Sequence, residues 1–112
     1  MAEITKHPPG MFCWADLGTT DTQAAKAFYR ALFGWSAVAT PASHGMVYTL
    51  LQVDGKDAAA VYPLMPEQLS QGVPPHWMLY VSVENADAVA ARARELGGTV
   101  IAGPGDVPEA GR

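Results

Sequence analysis

Cysteine is nearly absent. The one such residue in 112, Cys13, excludes an internal disulfide and any multi-cysteine zinc site. Long apolar runs are missing too: none approaches the ~18–20 residues that a membrane-spanning helix needs. The opening MAEITKHPPG carries no apolar stretch of the kind a secretion signal uses, so the expected compartment is the cytoplasm, with no membrane partner. Basic residues are few. Seven Lys and Arg stand against eleven Asp and Glu, a net charge of -4 with no Lys/Arg cluster, which argues against nucleic acid as a partner. There is no G-x-S-x-G elbow and no P-loop. Gly103-Pro104-Gly105 lacks the lysine and the helix N-terminus of a phosphate cradle. What the chain does have is 49% hydrophobic and only 16% charged residues, enough to bury the core of one compact domain.

Residues 1–10 read as a polar tail, and 11–18 (MFCWADLG) as a strand with Phe12, Trp14 and Asp16 on one face. Thr20 or Asp21 suits a helix N-cap, and the helix runs to about Phe33. Its apolar Ala24, Ala27, Phe28, Ala31 and Leu32 share one face, and Gly34 suits the left-handed C-cap. Strands follow at 35–40, 46–53 and 56–64. Asp54-Gly55 between the last two predicts a type I′ hairpin. A two-residue turn would set Val53 opposite Lys56, Gln52 opposite Asp57, Leu50 opposite Ala59 and Tyr48 opposite Val61. Residues 65–75 read as a linker and 76–83 as a strand. Asn85 caps a second helix ending at Gly97-Gly98, and TVIAG (99–103) reads as a last strand.

The order strand, helix, three strands, strand, helix, strand suggests a repeat. A shift of 64 residues lays 14–36 on 78–100 without a gap, placing Asp21 on Asn85, Arg30 on Arg94, Leu32 on Leu96 and Gly34 on Gly98. Two copies of one βαβββ unit are implied: a first module over 11–72 and the start of a second over 73–112. Equal copies would need a chain of roughly 136 residues, so residue 112 is expected to be a boundary within a longer fold.

CWADLGTTDTQAAKAFYRALFGW resembles the opening of a vicinal oxygen chelate domain, the superfamily of glyoxalase I, bleomycin-resistance proteins and extradiol dioxygenases. The carrying features are the strand, Asp21, then Phe28-Tyr29 and the exit Leu32-Phe33-Gly34-Trp35. HWMLYVSVENADAVAARARELGGTVI resembles the start of a second module, and PPHW and ELGGTV are similar to bacterial members labelled hydroxylases or antigens. The resemblance implies an α+β fold of paired βαβββ modules around a ligand cavity, the second incomplete here. It also implies a divalent ion in the metal-dependent members, held by His, Glu or Gln. By the same resemblance the ligand positions fall on Trp14, Met78 and Ala59. None of these side chains suits Mg, Mn, Fe(II) or Zn, so no metal and no cofactor are expected.

If the family geometry holds, the cavity face comprises Phe12, Trp14, Asp16, Tyr48, Leu50, Gln52, Ala59, His76, Met78 and Tyr80. An apolar, aromatic wall with a few polar groups is how small-molecule sites look; the same stripe could equally be core. Asp16 reads either as a base or binder of a cationic group, or as a paired polar residue near a strand end. His76 reads either as a base at the cavity mouth or as a partly solvated strand-end side chain. Cys13, on the other face, reads as an inert buried thiol. Three readings stay open. One is a metal-independent module binding a small aromatic or hydrophobic molecule. Another is an enzyme of hydroxylase, lyase or dioxygenase type, and the third is one piece of a larger two-domain protein. An exposed strand edge would be covered by a second copy in a homodimer or by a further chain segment.

Overall fold

The computed structural model describes residues 7–41 and 47–104; His44 and the tail from 105 onward lie outside them. Its elements run β1 (Phe12–Thr19), α1 (Thr22–Phe33), β2 (Ser36–Pro41), β3 (Val47–Val53), β4 (Lys56–Pro63), α2 (Pro66–Ser70), β5 (His76–Val81) and α3 (Ala86–Glu95). The fold is α+β, and its first five elements realise the βαβββ order. Cα proximity divides the chain into two compact units, Cys13–Tyr80 and the remainder.

The five strands form one sheet in the order β2-β3-β4-β1-β5. β1 and β4 are parallel, with Asp16 beside Ala60, Leu17 beside Val61 and Gly18 beside Tyr62. β3 is antiparallel to both β2 and β4. The Asp54-Gly55 turn has φ of 53° and 77°, the two positive values a type I′ turn requires.

Asp21 caps α1 by accepting the Ala24 N–H at 2.9 Å, and Gly34 ends it at φ 74°. The helix lies on the sheet through Ala25 and Tyr29, which pack with Trp35 against Leu17, Leu51, Ala59 and Val61. That differs from the expected inward face: Ala24, Ala27, Phe28, Ala31 and Leu32 are exposed. Tyr29 decides the rotation. It stacks on Trp35 at 5.5 Å between centroids, meets Trp77 edge-on at 5.6 Å, and accepts the Trp77 indole N–H at 3.2 Å. An amphipathic aromatic held on three sides outweighs a stripe of alanines.

The hairpin register holds at Val53–Lys56 and Gln52–Asp57, then slips. Leu51 pairs with Ala59, Leu50 with Ala60 and Thr49 with Val61, so Ala58 is the extra residue of a β-bulge. The expected pairs Leu50–Ala59 and Tyr48–Val61 are therefore shifted by one.

Residues 65–75 hold a short helix where a linker was expected. Pro66 supplies its first turn, and the Gln68 side chain accepts the Met65 N–H at 2.8 Å. Residues 99–103 form no strand. Among the described residues nothing ladders with them, and Ile101 is 97% exposed; β-branched residues favour a strand only where a partner strand exists.

In the second unit, Asn85 caps α3 by accepting the Ala88 N–H at 3.0 Å, and Gly97 follows the helix at φ 93°. The Gly10 N–H donates to the Ser82 carbonyl at 2.7 Å, and the Ser82 N–H to the Met11 carbonyl at 2.8 Å.

Candidate functional site

The sheet face away from α1 carries a carboxylate among aromatic rings. Strand alternation puts Trp14, Asp16 and Gly18 of β1 on that face, beside Ala60 and Tyr62 of β4. Asp16 is 2% exposed. Its Oδ2 accepts two phenol hydroxyls, from Tyr48 at 2.8 Å and from Tyr80 at 3.0 Å. The Tyr48 oxygen in turn accepts the Trp14 indole N–H at 2.8 Å. Trp14, Tyr48, Asp16 and Tyr80 thus form one chain of hydrogen bonds drawn from three strands. Tyr62, not singled out from the sequence, stacks on Tyr48 at 6.3 Å between centroids. It fits because Gly18 has no side chain: a Cβ there would lie 2.9 Å from the Tyr62 hydroxyl.

The other carboxylate oxygen, Oδ1, is buried and has no hydrogen-bond partner among the described residues. Such an orphan is expensive, on the order of 1–3 kcal/mol and more if charged. Burial pushes the Asp16 carboxyl above its ordinary value. The Tyr48 and Tyr80 hydroxyls and the nearby His76 pull the other way and do not cancel it. Burial likewise raises the Tyr48 and Tyr80 phenols, and the Asp16 charge adds to it. Both tyrosines therefore remain protonated donors at neutral pH.

His76 Nδ1–H donates to the Pro74 carbonyl at 2.9 Å. Alternation along β5 places it with Met78 and Tyr80 on the Asp16 side. Met78 and Tyr80 are each 42% exposed, and Phe12 is more open still. Leu50 pairs with Ala60 on the same face. The Gln52 amide donates to Asp57 at 2.8 Å, close to the hairpin end. Ala59 is placed elsewhere. It is buried on the α1 side with Leu17, Leu51 and Val61, because the bulge at Ala58 exchanges the faces of β4. Cys13 is half-buried and donates to the Tyr80 carbonyl at 3.6 Å.

The metal positions implied by the resemblance do not fit an ion. The Trp14 ring nitrogen is already a donor to Tyr48 and has no lone pair to offer. Ala59 faces the wrong side of the sheet, and Met78 offers only a soft thioether. Among the described residues no three His, Cys, Asp or Glu side chains gather where they could share a metal. No described helix is long and apolar enough to cross a membrane.

Comparison with known proteins follows the same lines. The family model of the Glyoxalase/Bleomycin resistance protein/Dioxygenase superfamily matches residues 12–112. The chain is 38% identical over 113 residues to the "Putative glyoxylase CFP32" of Mycobacterium tuberculosis, covering 100% of this chain and 43% of that protein. The "Anthracycline biosynthesis protein DnrV" of Streptomyces peucetius is 38% identical over 121 residues, covering 97% of this chain and 43% of its own length. This chain therefore spans less than half the length of these relatives. With strand order, caps and family match in agreement, the chain belongs to the glyoxalase/bleomycin resistance protein/dioxygenase superfamily.

Proposed function

We propose that this chain supplies one wall of a metal-independent site for a small, flat aromatic molecule. The observation that carries the reading is the buried Asp16, held by two tyrosine hydroxyls with its second oxygen unpartnered, on a face of aromatic side chains. Rings bind rings by stacking and edge contacts, and a few fixed polar groups set orientation. The name of DnrV ties that relative to anthracycline biosynthesis, and anthracyclines are fused-ring aromatics, which supports the ligand class. The reading takes 11–72 as a first module and 73 onward as the start of a second, in a cytoplasmic protein. In it, the apolar edge strand β5, where Leu79 is 63% exposed, is covered by a second copy or a further chain segment. Naphthalene and anthraquinone derivatives should raise the melting temperature by mass action, equally with and without EDTA. No shift with any of them, or about one metal per chain by elemental analysis, would sink the reading.

A second reading is an enzyme of the same superfamily that uses Asp16 as its base, with His76 beside it. The upward displacement of the Asp16 carboxyl, which makes a better proton acceptor at neutral pH, favours it. Turnover that survives both Asp16→Asn and His76→Ala would rule it out.

A further inference from the structure

The geometry points to His76 as the residue that orients the ligand: its Nε2 accepts a hydroxyl carried by the aromatic ring. The inference rests on the aromatic-binding reading above and adds to it the polar group that the ligand must carry. The lead-in to β5 sets the imidazole. Pro74 precedes a second proline, which holds its backbone extended, and Pro75 has a fixed φ of its own. The Pro74 carbonyl is thereby held for the His76 Nδ1–H, 2.9 Å away. A carbonyl only accepts, so the proton sits on Nδ1 and the neutral ring keeps its lone pair on Nε2, across the ring from that bond. The side chain is half-buried and open to contact, whereas Asp16 is sealed at 2% exposure.

The rest of the strand supplies the ring contacts. His76, Met78 and Tyr80 alternate on one face of β5, while Trp77 is turned to Tyr29 on the other. Alternate residues stand ~6.5 Å apart along a strand, a step that a fused two-ring molecule spans. Met78 and Tyr80 are each 42% exposed. A thioether sulfur packs favourably against an aromatic ring, and a phenol ring stacks on it or meets it edge-on. A bicyclic ligand laid over Met78 and Tyr80 brings the substituent at its end to His76, where a lone pair selects an O–H. A methyl ether of the same ring offers no proton and sets a methyl group against that lone pair. Sites built around a hydrogen bond discriminate against analogues that lack it.

The test is calorimetric titration of the protein with 2-naphthol, 2-methoxynaphthalene and naphthalene. We expect 2-naphthol to bind about threefold to tenfold more tightly than the ether, the range of one net hydrogen bond between neutral groups. His76→Phe, which keeps a flat ring and removes the acceptor, should abolish that preference. Should this variant fail to fold, nitrogen-15 NMR of the wild type in mildly alkaline buffer decides. The His76 Nε2 resonance, at the position of an unprotonated ring nitrogen, should move toward the protonated position with 2-naphthol and not with the ether; no movement with either would overturn the inference. Equal affinities for naphthol and ether would also overturn it and leave aromatic binding standing. Binding of none of the three would overturn both. A naphthol preference that persists in folded His76→Phe, or a proton found on Nε2 in place of Nδ1, would overturn the assignment to His76.

Discussion

The Tyr80 hydroxyl lies 3.0 Å from Asp16 Oδ2, and the two residues are 64 positions apart, the same shift that lays 14–36 on 78–100 in the sequence. Residues matched by that shift therefore meet. β1 brings a carboxylate and β5 a phenol, and the pair bonds because the two residues differ. Identical residues there would give two buried carboxylates in repulsion, or two phenols with no strong acceptor.

The two phenols should not be equivalent. Tyr48→Phe removes a donor from Asp16 and the acceptor of the Trp14 indole, so it should cost about 1–3 kcal/mol. Tyr80→Phe removes one half-exposed donor and should cost about 0.5–1.5 kcal/mol. Urea unfolding of both variants checks the order; a larger loss for Tyr80→Phe would contradict the double role of Tyr48 as donor to Asp16 and acceptor from Trp14.

Asp16 predicts a stability profile with pH. Burial raises its carboxyl in the folded protein above the ordinary 3.8, and hydrogen bonds from Tyr48 and Tyr80 only partly offset this. A group raised by folding contributes stability that is fully present below the unfolded value and is lost as pH rises through the folded one. Relative to Asp16→Asn, which cannot titrate, the wild type should lose melting temperature as pH climbs from about 4 toward neutrality. Parallel curves for the two proteins would contradict the raised carboxyl.

Gly18 leaves little room for a side chain. A Cβ would stand 2.8 Å from Leu64 Cδ2 and 2.9 Å from the Tyr62 hydroxyl. Gly18→Ala should cost about 1–3 kcal/mol, the range of overpacking. Gly103→Ala, where a Cβ meets nothing within 4 Å, should be close to neutral. Thermal melts of the two variants make the comparison.

Core truncation should follow burial. Leu51 is 1% exposed and central to the layer beneath α1, so Leu51→Ala should cost about 2–5 kcal/mol. Leu69 on α2 is 50% exposed, and Leu69→Ala should cost less than about 1 kcal/mol. Denaturant midpoints that rank the pair the other way would contradict the placement of the core.

Much of this was legible in the sequence because the signals were local. Asp21, Gly34, Asp54-Gly55 and Asn85 each state a cap or a turn through their own chemistry, and each stands where expected. Strand alternation sets Trp14 and Asp16 on one face, the family resemblance adds Tyr48 and Tyr80 to it, and hydrogen bonds join the four. The misses come from places where local signals are silent. Ala58-Ala59-Ala60 reads the same on either face, so nothing marked the bulge. Five residues are too few for α2 to show a helical period. The orientation of α1 depends on Trp35 and Trp77, whose contacts with Tyr29 are tertiary. Tyr62 became visible only through the parallel register that sets it against Gly18.

The bulge gives β4 a parity. Upstream of Ala58 the odd-numbered Asp57 faces the side of Gln52 and Leu50, and downstream the even-numbered Ala60 and Tyr62 face it. Closing the bulge with all three alanines kept would therefore act like a frameshift in space, turning Ala60 and Tyr62 toward the helix and Val61 toward Asp16, whereas deleting one alanine would leave a regular ladder with every downstream face in place. Comparisons between relatives inherit the same arithmetic. A gap set one residue early or late in the alanine run pairs core positions of one protein with site positions of another, so the place of the gap decides which residue is matched to which role.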